Sequence, residues 1–66
     1  MILQINIEND RQALALAYFC KRLTFDGAYE TAHGANHEET KSMTYDILDG
    51  IAAIQEGLKE KGFAPR

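Results

Sequence analysis

Two histidines four residues apart, His33 and His37, have the spacing best suited to chemistry in this sequence. On a continuous helix this spacing places two imidazoles on one face, where they can share a metal ion. Gly34 and Asn36 lie between them, and both residue types favour a break in a helix. The zinc-protease pattern also needs a second histidine where Lys41 stands. We therefore expect no metal site and no cofactor.

The other groups with reactive potential are one cysteine and several carboxylates. Cys20 lies in an apolar run, where a buried and inert thiol is the ordinary outcome, and a single cysteine cannot form an internal disulfide. The pairs Glu38/Glu39 and Asp46/Asp49 have the pattern of solvated helix charges. A chain of 66 residues also has few side chains with which to enclose a pocket. We expect no catalytic residue and no enzymatic activity.

Contact with a partner is the remaining role for the polar side chains. Arg11, Lys21 and Arg22 accompany Tyr18, a combination that suits an acidic partner or a phosphate backbone, although solvated helix ends give the same pattern. Polar residues of an irregular stretch further along are also candidates, because functional residues often lie on loops. The candidate partner-binding residues are Gln4, Asn6, Arg11, Lys21, Arg22, Tyr29, His33 and His37.

The elements that position these side chains begin with a predicted strand at residues 2–8. Leu3, Ile5 and Ile7 alternate with polar residues, the period of two that buries one side of a strand. No other segment predicts a second strand, and an unpaired strand needs a partner. We therefore expect it to pair with the same strand of another copy, giving an intertwined homodimer with a two-stranded intersubunit sheet.

Two predicted helices follow, so the fold class is mainly α with the order β-α-α. The first helix, at residues 10–24, begins after the N-cap Asn9, and its residues 13–20 are apolar all round, which is typical of a helix covered on more than one side. The second helix, at residues 37–61, begins after the N-cap Asn36.

Between the helices, residues 25–36 predict an irregular link in which residues 28–32 allow one extra helical turn. Gly62 in a left-handed C-terminal cap and Pro65 should end the second helix, leaving residues 62–66 as a tail. A stripe at three- and four-residue steps should face the core from this helix. Its members are Thr44, Ile47, Ile51, Ile54 and Leu58.

Gly50 and Gly57 inside the second helix each cost roughly 1 kcal/mol relative to alanine. They share one face with Ala53, so they predict a smooth groove for close packing of another helix; the alternative is a merely solvated side. The residues predicted to form dimer and helix contacts are Leu3, Ile5, Ile7, Gly50, Ala53 and Gly57.

Length and charge bound the remaining possibilities. The 66 residues allow a single domain, 1–66, and a core of this size rarely supplies more than roughly 3–5 kcal/mol, which favours oligomerisation. The sequence shows no signal peptide and no membrane span, so we expect a cytoplasmic protein. The formal charge of −3 weakens attraction to nucleic acid and to anionic membranes.

The order of a short strand and two helices, with Gln4 and Asn6 on the polar side of the strand, resembles the ribbon-helix-helix repressors. In that family the strands of two subunits pair and their polar residues enter the DNA major groove. The resemblance implies that Gln4 and Asn6 read bases. It covers only the strand and the order of elements, because Glu8 replaces a basic or neutral polar reader and the link from Thr24 to Asn36 is far longer than the family's turn.

The leading hypothesis is a small non-enzymatic interaction or regulatory protein that docks on a macromolecular partner, most simply another protein, as a homodimer. One alternative is a dimeric DNA-binding regulator of the ribbon-helix-helix kind. Another is an acidic protein inhibitor that presents carboxylates to a basic protein surface. Those carboxylates are Glu30, Glu38, Glu39, Asp46 and Asp49.

Overall fold

The computed structural model describes residues 1–65, and within that range the chain forms three helices and no strand. α1 spans Asp10–Arg22, α2 spans Phe25–Thr31 and α3 spans His37–Glu60. Both α1 and α2 pack against α3, which is the longest element at 24 residues. No helix in residues 1–65 has the length and apolar character needed to cross a membrane.

The predicted strand at residues 2–8 and the intersubunit sheet are wrong. Residues 1–8, here called the arm, have no regular secondary structure, and every one of them is exposed. The alternation of Leu3, Ile5 and Ile7 shows which side of a strand would be apolar, but strand formation also requires a neighbour with free N–H and C=O groups. Within residues 1–65 no segment supplies such a neighbour.

α2 occupies most of the segment that the sequence predicts to be irregular. Thr24 is its N-cap, and the Thr24 hydroxyl oxygen accepts a hydrogen bond from the Gly27 amide at 3.2 Å. Gly27 lowers the helix propensity of this short segment, which is why the pattern favours a break rather than a helix. The order is therefore three helices, not one strand and two helices.

The ends of α1 and α3 follow the predicted capping residues. The side chains of Asn9 and Asn36 accept hydrogen bonds from the third amide beyond each, at 2.9 and 3.0 Å. At the other end of α3, Gly62 has a φ of 97° and the Phe63 amide donates to the Leu58 carbonyl at 2.9 Å. These bonds form the predicted left-handed C-terminal cap.

The core between α1 and α3 consists largely of small side chains. Ala13, Ala17 and Cys20 of α1 are buried against Leu58 of α3, with half-buried side chains around them. The burial predicted for Cys20 is confirmed. In the predicted stripe of α3 only Thr44 and Leu58 are fully buried, and the three isoleucines between them are half-buried.

α1 is covered on one side, not on several as its composition predicts. Leu14 and Phe19 remain 43 and 54 % exposed, because α2 packs on α3 rather than on α1. The chain thus leaves apolar side chains of both the arm and α1 in contact with solvent.

Candidate functional site

The arm and α3 border an open groove with a volume of about 990 Å³. Leu3, Ile5 and Ile7 line it from the arm, and Ile47, Ile51 and Ile54 line it from α3. The arm side chains are exposed and the α3 side chains are half-buried. The predicted dimer-contact residues of the arm therefore face the apolar side of α3 across a space that the chain does not fill.

The three small residues of α3 lie along the same groove. Gly50, Ala53 and Gly57 all belong to its lining. A Cβ atom added at Gly50 or Gly57 would meet no other described atom within 4 Å. Within the described residues, therefore, no helix of the same chain packs on this face. The predicted close packing of a helix against Gly50 and Gly57 would need a helix from a second chain.

Charge is sparse around this groove. Its charged lining residues are Glu60 and Lys61 at the end of α3, and Gln4 and Asn6 contribute neutral amides. A surface of this kind favours contact with apolar side chains, because burying it leaves few charges to desolvate.

A second feature is a row of four rings that joins α2 to α3, here called the aromatic array. The Phe25 ring lies 5.4 Å from that of Tyr45 and 6.0 Å from that of Tyr29, measured between centroids. The Tyr29 ring lies 5.8 Å from the His37 ring, and the Tyr29 hydroxyl shares a hydrogen bond of 2.8 Å with His37 Nδ1. These contacts tie α2 to the first three turns of α3.

The two histidines do not form a pair. His37 opens α3 and bonds to Tyr29, whereas His33 precedes the helix and its backbone amide donates to the Met43 sulfur at 3.2 Å. Within residues 1–65 no group of three or more potential ligands comes together in a way that could hold a metal ion.

Gly34 explains why the chain turns between these histidines. Its amide donates to the Thr40 hydroxyl at 3.2 Å, and a Cβ atom at this position would lie 2.7 Å from the Glu39 carbonyl carbon. It would also press against the Thr40 amide nitrogen. Only glycine permits this approach, so Gly34 brings the link close enough to α3 for the Tyr29–His37 contact.

The basic cluster of α1 is only partly assembled. The Arg22 guanidinium lies over the Tyr18 ring, 5.0 Å from its centroid, and both line a shallow depression beside Phe19. Arg11 and Lys21 are exposed on the same helix. The structure therefore joins one of the three predicted cations to the aromatic side chain.

Burial decides the chemistry of Cys20. Desolvation raises the pKa of its thiol, and a backbone hydrogen bond opposes this effect less strongly. A raised pKa lowers the thiolate fraction, and the thiolate is the reactive form. Cys20 is thus a packing residue of the α1–α3 core.

Sequence reasoning missed most of the aromatic array, because Tyr45 and Phe25 are 20 residues apart and meet only through packing. The spacing of Phe25 and Tyr29, one helical turn apart, was the available local signal. It depends on recognising α2, which Gly27 obscures.

The model of a protein family described as a family of unknown function (DUF7706) matches residues 1–66. No curated protein and no solved structure matches the chain significantly.

Proposed function

Because the chain belongs to DUF7706, a family of unknown function, we propose its role from its own surfaces: a small, non-enzymatic, cytoplasmic interaction protein that works as a homodimer. In the dimer, two copies pack through the arm and the groove of α3. The open apolar groove between these elements is the observation that carries the proposal.

The exposed area of the chain supports a partner of substantial size. A folded monomer of 7.4 kDa exposes about 4,200 Å² by the usual scaling of surface with mass. This chain exposes 5481 Å². The difference of about 1,300 Å² is larger than the roughly 800 Å² that each partner contributes to a standard protein interface.

A second copy suits this surface because each chain offers both halves of the contact. Apolar side chains of the arm stand beside an empty apolar face of α3 in the same molecule. A two-fold axis places the same patch of both copies in contact, so one such patch suffices. The open space above Gly50 and Gly57 lets a backbone or a helix approach α3 closely.

Sedimentation equilibrium at micromolar concentration tests the proposal and should give twice the chain mass of 7.4 kDa. Ile5→Asp should convert the dimer to a monomer, because it places a charge within the apolar contact. Leu14→Asp is the matched control, since Leu14 is 43 % exposed on α1 and Ile5 is 55 % exposed on the arm. The control should remain dimeric. A cooperatively folded monomer of the parent chain, or equal effects of both variants, would contradict the proposal.

The DNA-binding alternative has lost its structural basis, because it depended on paired strands. Gln4 and Asn6 lie on the unpaired arm and line the groove, with no sheet in residues 1–65 to present them to a base. No observation favours that alternative over protein contact.

A further inference from the structure

We propose that the aromatic array is a second binding surface, separate from the groove, and that it receives an arginine-bearing segment of another protein. Four observations lead to this assignment: the continuity of the rings, their exposure, the charge around them and an internal example of the same contact.

The rings form one continuous surface that solvent reaches. Tyr45 is 51 % and Phe25 37 % exposed, and their centroids are 5.4 Å apart. Tyr29 and His37 extend the row and fix each other through their hydrogen bond. Exposed aromatic side chains held rigidly in this way are typical anchors of protein interfaces, because they offer contact area with little loss of rotamer freedom.

The charge around the array selects the partner. Six of the ten carboxylates of the chain, but only one of its seven lysine and arginine side chains, lie in residues 25–49. Asp26 and Glu30 are one turn apart on α2, beside the face that carries Phe25 and Tyr29, and Asp49 lies one turn beyond Tyr45 on α3. Lys41, the one cation of this segment, lies one turn before Tyr45 on the same face, so these three carboxylates outnumber it. The carboxylates alone would be ordinary solvated charges. Combined with the rings, they favour a cation and disfavour a phosphate backbone.

Arginine fits this combination better than lysine does. Its planar guanidinium stacks on an aromatic face and donates to carboxylates at its edge at the same time, whereas the lysine ammonium is a strongly hydrated point charge. The chain already contains a guanidinium–ring contact, because the Arg22 guanidinium lies 5.0 Å from the centre of the Tyr18 ring. The rings of the aromatic array can receive the same kind of contact from another chain, because residues 25–49 contain no arginine of their own.

Isothermal titration calorimetry with the full chain tests the assignment. The ligand is a flexible synthetic peptide in which two arginines are spaced by glycine and serine. A second peptide replaces both arginines with citrulline, which keeps the planar shape and removes the charge. We expect the arginine peptide to bind with a dissociation constant below 1 mM and the citrulline peptide to bind at least tenfold more weakly. Equal binding of the two peptides, or no binding of either at millimolar concentration, would overturn the proposal.

Two protein variants locate the contact. Tyr45→Ala should weaken binding of the arginine peptide about three- to fivefold, the loss expected when a cation loses an aromatic face at an exposed site. Phe19→Ala is the matched control, because Phe19 is 54 % exposed on α1 and lies outside the array; it should change the affinity less than twofold. Circular dichroism checks that both variants are folded. Equal losses in the two variants would place the binding elsewhere and refute the assignment.

The result does not depend on the dimer. Ile5→Asp should retain the affinity for the arginine peptide, because the arm and the array share no residue. If Ile5→Asp abolishes binding while circular dichroism shows that the variant is folded, the site lies at the groove and the assignment to the array is wrong. If Ile5→Asp binds the peptide normally but has the same sedimentation mass as the parent chain, the proposed dimer contact is contradicted and the assignment to the array stands.

Discussion

Gly34 is a single residue on which the placement of α3 depends. The backbone of the link passes so close to Glu39 and Thr40 that no Cβ atom fits at position 34. We expect Gly34→Ala to lower the free energy of unfolding by about 1–3 kcal/mol, the usual cost of overpacking. Urea unfolding followed by circular dichroism measures this change.

Gly27→Ala is the control for that experiment. A Cβ atom there would lie 3.5 Å from Leu23 Cδ1, an ordinary contact distance, and position 27 is within α2. We expect it to stabilise the chain by roughly 0.4–1 kcal/mol. If both alanine variants shift the midpoint in the same direction, the close approach at Gly34 is not what limits that position.

The thiol of Cys20 provides a second test at the scale of one residue. Burial raises its pKa and also shields the sulfur, so labelling by a disulfide reagent at pH 8 should be slow in the folded chain and rapid in urea. Because the folded state holds the thiol proton more tightly, this group stabilises the fold at neutral pH. That contribution is complete below the ordinary thiol pKa and is lost as the pH rises from there through the raised pKa of the folded state. Rapid labelling of the folded chain would contradict the assigned packing.

At the scale of the elements, alanine substitutions at Gly50 and Gly57 test whether this face of α3 is free or covered by a second copy. In a single chain both positions have open space, so Gly50→Ala and Gly57→Ala should each stabilise by roughly 0.4–1 kcal/mol. If a second copy packs there, each added methyl group should instead weaken the dimer. Urea midpoints at low and high protein concentration separate the two, and stabilisation at every concentration would exclude close packing on this face.

The elements also show which parts of the fold the sequence could predict. Local signals identify α1 and α3, because Asn9, Asn36 and Gly62 act on amides and carbonyls within a few residues. The arm was predicted wrongly because alternation describes the two sides of a strand and says nothing about the neighbour it needs. The aromatic array was missed because it arises from packing between helices.

For the molecule as a whole, a core of small side chains and a large exposed surface leave the single chain with little buried apolar area, so the proposed dimer should contribute to its stability. Binding of one native copy to another stabilises both by mass action. A tenfold increase in protein concentration should therefore raise the thermal midpoint by about 3–6 °C in a chain of this size. Differential scanning calorimetry measures the shift, and Ile5→Asp should remove it. A midpoint independent of concentration in the parent chain would mean that folding and pairing are not coupled.

The composition of the aromatic array also has a spectroscopic consequence. The chain contains no tryptophan, so its near-ultraviolet emission comes from its three tyrosines, and two of these belong to the array. The Tyr29 hydroxyl shares a hydrogen bond with His37, whereas Tyr45 is 51 % exposed to solvent. A guanidinium that settles on the rings should change this emission directly. The unlabelled protein therefore carries its own optical reporter of occupancy, and Tyr45→Phe should remove the contribution of the more exposed of the two tyrosines in the array.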